Sequence, residues 1–224
     1  QAEWDRAKRD LPRWKFDLYY RGVPTRPAGL IYENFDEDEQ TRTRFKIPDD
    51  WPRYIGLDFG GVNTAALFYA RRPGEKTLYL YHEYKAGHRT AEQHVRSILE
   101  GEPMPRLCVG GSKSEDQWRQ EFRAAGLMIE GPDISDVEVG LDRVFGFHAR
   151  QEVIVFDDLA GYLEEKATYA RKLDDMGQPI ETIEDKNSFH FMDAERYVLG
   201  ALAPSEFVVV DEVLDPDEVG MFAL

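Results

Sequence analysis

The chain has 224 residues, 42% hydrophobic and 12% aromatic, which is enough apolar material for a core and excludes full disorder. Its 43 Asp and Glu against 28 Lys and Arg give a net charge of −15, so the average surface repels phosphate and disfavours a free, high-affinity nucleic-acid binder. The single Cys108 excludes an internal disulfide, and no run of about 18 apolar residues predicts a membrane span. We therefore expect a soluble protein of a reducing compartment, with no membrane partner.

The first 50 residues have few periodic apolar positions and contain a Gly/Pro-punctuated run at 22–29. The chain begins Gln1-Ala2-Glu3, without Met or an apolar leader, which we interpret as a piece of a longer protein. The predicted divisions are a linker segment at 1–50, a folded domain at 51–204 and a C-terminal tail at 205–224.

From residue 54 the sequence becomes regular. Period-two alternation with short turns predicts three antiparallel strands, and helix-period segments then alternate with short apolar runs. The predicted elements are strands 54–59, 65–70 and 78–84, helix 90–99, strand 106–109, helix 115–125, strand 127–130, helix 137–148, strand 153–156, helix 159–169, a hairpin around 175–178 and helix 190–202. This order predicts an α/β fold, a mixed sheet with an antiparallel βββ opening, later parallel strands and helices on both faces.

The first candidate site lies in the first of these strands, Ile55-Gly-Leu-Asp-Phe-Gly-Gly61. Alternation places Asp58 on one face with a glycine two residues away on either side, which predicts open space for a cation or phosphate. An acid within an apolar strand is costly unless it is paired or metal-bound. The alternative is that Asp58 only begins a turn.

The second candidate lies in the last helix. Helical spacing puts His190 and Asp193 on one stripe backed by small residues, so both could face a metal on the sheet. The alternative is a solvated Asp favoured by the helix dipole.

Other polar residues leave the interpretation open. Glu83 could join the site or belong to a half-exposed strand face, and Asp157-Asp158 is typical of a helix N-cap. Two further sets are predicted to lie on the surface: the histidines His88, His94 and His148, and a small basic patch of Lys113, Arg119 and Arg123.

Residues 54–202 resemble the nuclease domain of phage large terminase subunits, a ribonuclease H-like family that cuts concatemeric viral DNA. The resemblance rests on Tyr54-Ile-Gly-Leu-Asp-Phe-Gly60, on Val137-Glu-Val-Gly-Leu-Asp-Arg-Val144 and on His190-Phe-Met-Asp-Ala-Glu-Arg-Tyr197, which is similar to a closing H-x-x-D-A-x-R-Y pattern. Residues 16–36 resemble the segment that joins the packaging ATPase to the nuclease. No GxxxxGK[ST] loop of that ATPase is present.

The resemblance implies a two-metal endonuclease using Mg²⁺ or Mn²⁺. Asp58, Asp193 and Glu83 would be catalytic, and Asp58, Asp193 and His190 would bind metal. It also implies double-stranded DNA, the ATPase domain of the same chain, the portal and the small terminase subunit as partners, and the host cytoplasm as location.

One departure concerns the fourth strand, where the family usually has a second metal-binding acid and this chain has Gly110-Gly111. Either another acid supplies the missing carboxylate or one metal site is weak. The candidates are Glu83, Glu115, Asp116 and Asp157. If the backbone at Gly111 admits a side chain, an Asp there is expected to tighten binding of a second ion.

Two other functions fit parts of the sequence. The loss of a carboxylate suits a non-catalytic docking module, and Ile55 to Thr64 resembles the first phosphate loop of actin-type sugar kinases. A second Gly-rich nucleotide motif is missing, and the chain is short for two lobes.

Overall fold

The computed structural model of the protein describes residue 4 and residues 20–22, 28–60 and 62–202. The predicted tail at 205–224 and most of the segment before residue 28 lie outside this part of the chain. Within it, no helix combines the length and the apolar character needed to cross a membrane.

The described chain is an alternation of strands and helices that follows the predicted order. The elements are α1 (Glu37–Gln40), β1 (Thr41–Arg42), β2 (Arg53–Phe59), β3 (Asn63–Arg71), β4 (Leu78–Gly87), α2 (Ala91–Leu99), β5 (Leu107–Gly110), α3 (Asp116–Ala124), α4 (Val137–Ala149), β6 (Val153–Phe156), α5 (Ala160–Thr168), β7 (Arg171–Leu173), β8 (Pro179–Ile183), a 3-10 turn (Lys186–Ser188) and α6 (His190–Ala201). The predicted strand at 127–130 is wrong, because only Glu130 pairs there, in one bridge with Val109.

Six strands form one mixed sheet in the order β1-β6-β4-β3-β2-β5. The strands β2, β3 and β4 are an antiparallel meander, while β5 runs parallel to β2 and β6 parallel to β4. The predicted α/β fold with an antiparallel opening and later parallel strands is confirmed. Because β2 lies between β3 and β5, its carboxyl end is flanked on both sides by neighbouring backbone.

Helices cover both faces of the sheet. Alternate residues of β2 contact different helices on the two faces. On one face Phe59 packs against Phe122 of α3, with ring centroids 5.0 Å apart. On the other face α6 crosses so closely that a Cβ on Gly56 would lie 2.1 Å from the carbonyl oxygen of Ala194. Gly56 therefore lets the last helix touch the sheet backbone, and the space predicted above it is filled by protein.

The helix α6 is also held by a buried ion cluster around Glu195. Its carboxylate accepts from Lys166 Nζ and Tyr162 OH, each over 2.7 Å, and lies 3.1 Å from His148 Nε2. Gln40 contacts the other ring nitrogen of His148, at 3.3 Å. Since Gln40 belongs to α1, the cluster joins the segment before residue 51 to the centre of the domain.

Residues of the predicted linker pack on the domain in further ways. Tyr32 is 1% exposed, and Lys166 Nζ lies 3.7 Å from the centre of its ring. The strand β1 pairs with β6 in parallel, and Leu30 forms a bridge with Ala170. The described part of 28–50 thus shares the core of the domain, while the predicted boundary between linker and domain stays a prediction.

Several of the surface predictions are wrong. His94 and His148 are 3% and 1% exposed, and Arg119, predicted to belong to a basic patch, is 6% exposed. The Arg119 guanidinium donates to the carbonyl oxygens of Gly110 and Ser112. It stabilises the loop after β5 from inside, because it joins the end of β5 to the residues that follow.

Candidate active site

Asp58 lies near the carboxyl end of β2, on the face covered by α6. Its Oδ2 is 2.8 Å from Nδ1 of His190, the first residue of that helix. Both side chains keep a small exposed fraction, 14% for Asp58 and 16% for His190. The close approach of α6 at Gly56 brings them together, since Asp58 is two residues further along the same face.

The surroundings of Asp58 disfavour its negative charge. Burial raises the pKa of Asp58, as do the carboxylates of Asp193 and, to a smaller extent, Glu115, while His190 opposes them through its hydrogen bond and its charge. A buried carboxylate in a negative field is an arrangement that a cation would relieve. The structure therefore brings three of the residues discussed from the sequence, Asp58, His190 and Asp193, into one electrostatic unit.

Asp193 itself has a partner on its own helix. Its Oδ1 accepts from Nη2 and Nε of Arg196, over 2.7 and 3.1 Å. Arg196 is 4% exposed, and its stem occupies the space beside Gly140 of α4, where a Cβ would lie 2.7 Å from it. The pair fixes the first turn of α6 and leaves one carboxylate oxygen of Asp193 without a described partner.

Glu83, for which the resemblance implies a catalytic role, contacts the backbone of a helix. Its two oxygens accept from the backbone N–H groups of Gly161 and Tyr162, over 2.9 and 2.6 Å, at the start of α5. The helix has no side-chain cap of its own, since the preceding residue is Leu159. Glu83 thus caps α5 from a neighbouring strand, and no described hydrogen bond or ion pair joins it to Asp58.

A second carboxylate caps α6 in the same manner. Glu165 Oε2 accepts from the N–H of Phe191 over 2.8 Å, and its Oε1 accepts from Lys85. Sequence reasoning missed this residue. The available signal was that neither Leu159 nor Phe189, just before the two helices, is Ser, Thr, Asp or Asn.

The other acidic residues considered from the sequence have different partners. Asp157 accepts from Thr43, and Asp158 pairs with Arg44, so neither caps α5 as predicted. Asp116 pairs with Arg119. Of the four candidates, Glu115 is the one whose charge contributes noticeably to the raised pKa of Asp58.

Glu115 lies in the loop that follows β5. The register pairs Gly110 with Leu57, so the end of β5 lies level with Asp58. Glu115 Oε2 accepts from the backbone N–H of Ser112. A carboxylate side chain in place of Gly111 would be strained, because φ there is +72° and a Cβ would lie 2.6 Å from the Phe59 ring.

The donor atoms around Asp58 suit a divalent cation in their chemistry, since they are carboxylate oxygens and an imidazole nitrogen. Their present arrangement is not a complete cage. Among the described residues, no three side chains of His, Cys, Asp or Glu converge closely enough to hold a metal ion. Ion binding would require these side chains to shift from the positions they have here.

Comparison by sequence identifies nothing: no family model and no curated protein matches the chain. Comparison with solved structures identifies similar proteins. The large terminase of a thermophilic bacteriophage matches with a TM-score of 0.67 and 18% identity over 90% of this chain and 52% of its own length. The chain thus spans about half the length of that protein.

Isolated nuclease domains match over almost their whole length. The P22 large terminase nuclease domain gives a TM-score of 0.64 and 19% identity, covering 79% of this chain and 94% of its own. The nuclease domain of the bacteriophage SPP1 large terminase, a structure with bound Mn, gives 0.58 and 18%, covering 78% and 97%. This chain therefore has the ribonuclease H-like fold of phage large terminase nuclease domains.

Proposed function

We propose that the chain is the metal-dependent DNA endonuclease domain of a viral DNA-packaging terminase. The observation that carries the proposal is the largely buried Asp58 near the carboxyl end of β2, in contact with His190 and in the field of two further carboxylates. The likeness to nuclease domains, one with bound Mn and another with bound magnesium, supports the same chemistry.

Each residue of the site would have a distinct part. Asp58 and His190 would hold the ion, with Asp193 completing the shell through the oxygen that Arg196 leaves free. Glu115 would stand in for the strand-end acid that this chain lacks. When bound, the divalent cations would activate a water and neutralise charge on the phosphodiester. Glu83 would be a positioning residue that fixes α5 rather than a catalytic one.

Arg196 would act on the site indirectly. Its guanidinium neutralises part of the Asp193 charge and holds that carboxylate beside the first turn of α6. Without it, two carboxylates would repel each other across the site in the absence of an ion. We propose that this pairing keeps the site folded before metal binds.

The wider context is proposed on the same basis. Double-stranded DNA would be the substrate, delivered by a packaging ATPase preceding this domain in the full-length protein. The portal and the small terminase subunit would be further partners, in the host cytoplasm. Weak intrinsic affinity for DNA is expected from the charge of −15.

The decisive experiment compares Asp58→Asn with a matched exposed control, Asp142→Asn on α4. We expect Asp58→Asn to abolish plasmid nicking in Mn²⁺ and in Mg²⁺ and to weaken Mn²⁺ binding measured by calorimetry, while the control behaves as wild type. We further expect Mn²⁺ to support cleavage better than Mg²⁺, because Mn²⁺ accepts an imidazole ligand more readily.

The same experiment tests the site against its main alternative. Loss of the repelled carboxylate should leave the melting temperature of Asp58→Asn unchanged or raise it, so inactivity cannot be attributed to unfolding. Full nicking by a folded Asp58→Asn protein would refute the site. A wild-type protein that binds neither Mn²⁺ nor Mg²⁺ and does not cleave DNA would instead favour the docking module. The incomplete set of metal ligands also suits that function.

A further inference from the structure

A cleft of about 210 Å³ opens between the ends of β2 and β4 and the helices α2 and α3. Its described lining residues are Gly60, Val62, Thr64, His88, Arg89, Thr90, Gln93, His94 and Trp118. The cleft borders the candidate active site at Gly60, two residues after Asp58 in the chain. A Cβ on Gly60 would lie 2.7 Å from Cε1 of His190, so this glycine separates the cleft from the Asp58–His190 pair by backbone alone.

The lining differs in charge from the rest of the molecule. The chain carries 43 acidic residues, yet none of the described residues that line the cleft has a carboxylate. They offer one permanently charged guanidinium, two imidazoles, hydroxyls and an amide. In a protein of net charge −15, this is a local surface that a phosphate can approach without meeting a negative side chain.

Two side chains of the cleft have suitable geometry for a nucleotide. Trp118 is 40% exposed, and its inner face stacks on Phe59 with ring centroids 6.4 Å apart and an interplanar angle of 21°. One face of the indole therefore packs on Phe59, and the other face is partly exposed. Arg89 Nη1 donates to Ser97 Oγ and Tyr84 OH, over 2.9 and 3.2 Å, which holds the guanidinium at the rim.

Resting on the proposed function, we propose that this cleft binds the nucleotide next to the scissile phosphate, with a base against Trp118 and a backbone phosphate against Arg89. An aromatic ring and an arginine are the two components with which proteins hold single-stranded nucleic acid without reading its sequence. The base would have to leave the duplex stack to reach the ring. The subsite thus favours DNA that is locally unpaired near the cut.

The test is equilibrium binding of a fluorescein-labelled DNA duplex with a short single-stranded end, measured by anisotropy in EDTA on the 224-residue chain. We expect Trp118→Ala to weaken binding about tenfold and Trp118→Phe to retain most of it, as for one stacked base. Arg89→Gln should weaken binding and reduce the slope of log Kd against log salt by about one phosphate, whereas Trp118→Ala should leave that slope unchanged.

Matched controls separate the cleft from general effects. Phe145→Ala removes an aromatic of similar exposure on α4, and Arg150→Gln removes a partly exposed arginine paired with Glu152. Both should bind DNA as wild type. Variants at Trp118 and Arg89 that bind like these controls, or binding by the wild type too weak to detect at millimolar protein, would overturn the proposal.

Failure of this proposal differs from failure of the proposed function. Binding is measured without metal, so it does not depend on cleavage. Cleavage lost in Asp58→Asn together with normal binding by Trp118→Ala would refute only the cleft. Trp118-dependent binding by a wild type that never cuts DNA would refute only the nuclease.

Discussion

Replacing Lys166 by Met tests how the helix that carries His190 is held. Lys166 and Glu195 are both fully buried, with Nζ and Oε2 2.7 Å apart. Methionine retains the apolar stem but leaves Glu195 with only Tyr162 and His148 as described partners. Losing one partner of a buried ion pair costs about 3–5 kcal/mol. Because two donors stay in place, we expect the free energy of unfolding to fall by about 3 kcal/mol.

The pH dependence of this loss has a definite sign. Burial alone would raise the pKa of Glu195, but Lys166 and His148 outweigh it and hold that pKa at about 2. A carboxyl with a folded-state pKa below its unfolded value of about 4.3 contributes stability that is present above that pH and lost as the pH falls towards the folded pKa. In the variant the carboxylate can instead take up a proton. The deficit is therefore expected to be largest at neutral pH and to shrink on acidification.

Urea unfolding followed by tryptophan fluorescence at pH 7 and pH 5 measures both quantities. Arg72→Met is the control, because Arg72 and Glu75 form an exposed pair worth about 0–1 kcal/mol. Adding Glu195→Gln to Lys166→Met should recover part of the loss, since Gln still accepts from Tyr162. A cost below about 1 kcal/mol at pH 7, or a deficit that grows on acidification, would refute the reasoning.

Two further predictions concern the neighbouring elements. Glu83→Ala should lower stability by about 1–2 kcal/mol, because two N–H groups at the start of α5 lose their acceptor; an unchanged melting temperature would show that water replaces the cap. Gly111→Asp, which the sequence suggested would tighten a second ion, should instead destabilise the fold by about 1–3 kcal/mol and leave metal binding by calorimetry no tighter, given its φ of +72° and the contact with Phe59. A tighter second ion would contradict this.

The sheet was predictable because its strands depend on local patterns. Alternation in Tyr54–Phe59, the capping box of Thr90 with Gln93 and the apolar run Val153–Phe156 all survive in the structure. The prediction for residues 127–130 failed because a short apolar run carries no information on whether a neighbouring strand has a free edge.

The site was predictable only in part. Asp58 was identifiable because an acid in an apolar strand breaks the pattern, and the structure places its carboxylate in contact with His190. The caps formed by Glu83 and Glu165 depend on which strand lies beside which helix, and a sequence without tertiary contacts does not contain that information. The sequence left four acids as candidates for the missing ligand. The register of β5 places the loop that carries Glu115 beside Asp58, which favours Glu115 among them.

The strand β1 is only two residues long, yet it occupies the outer side of β6. A chain shortened to begin at residue 51 would leave β6 with unpaired backbone groups, the kind of bare edge at which sheets from different molecules join. The same cut would uncover apolar surface under Tyr32 and Phe35. Recombinant fragments of this domain should therefore begin ahead of residue 28 if they are to stay monodisperse.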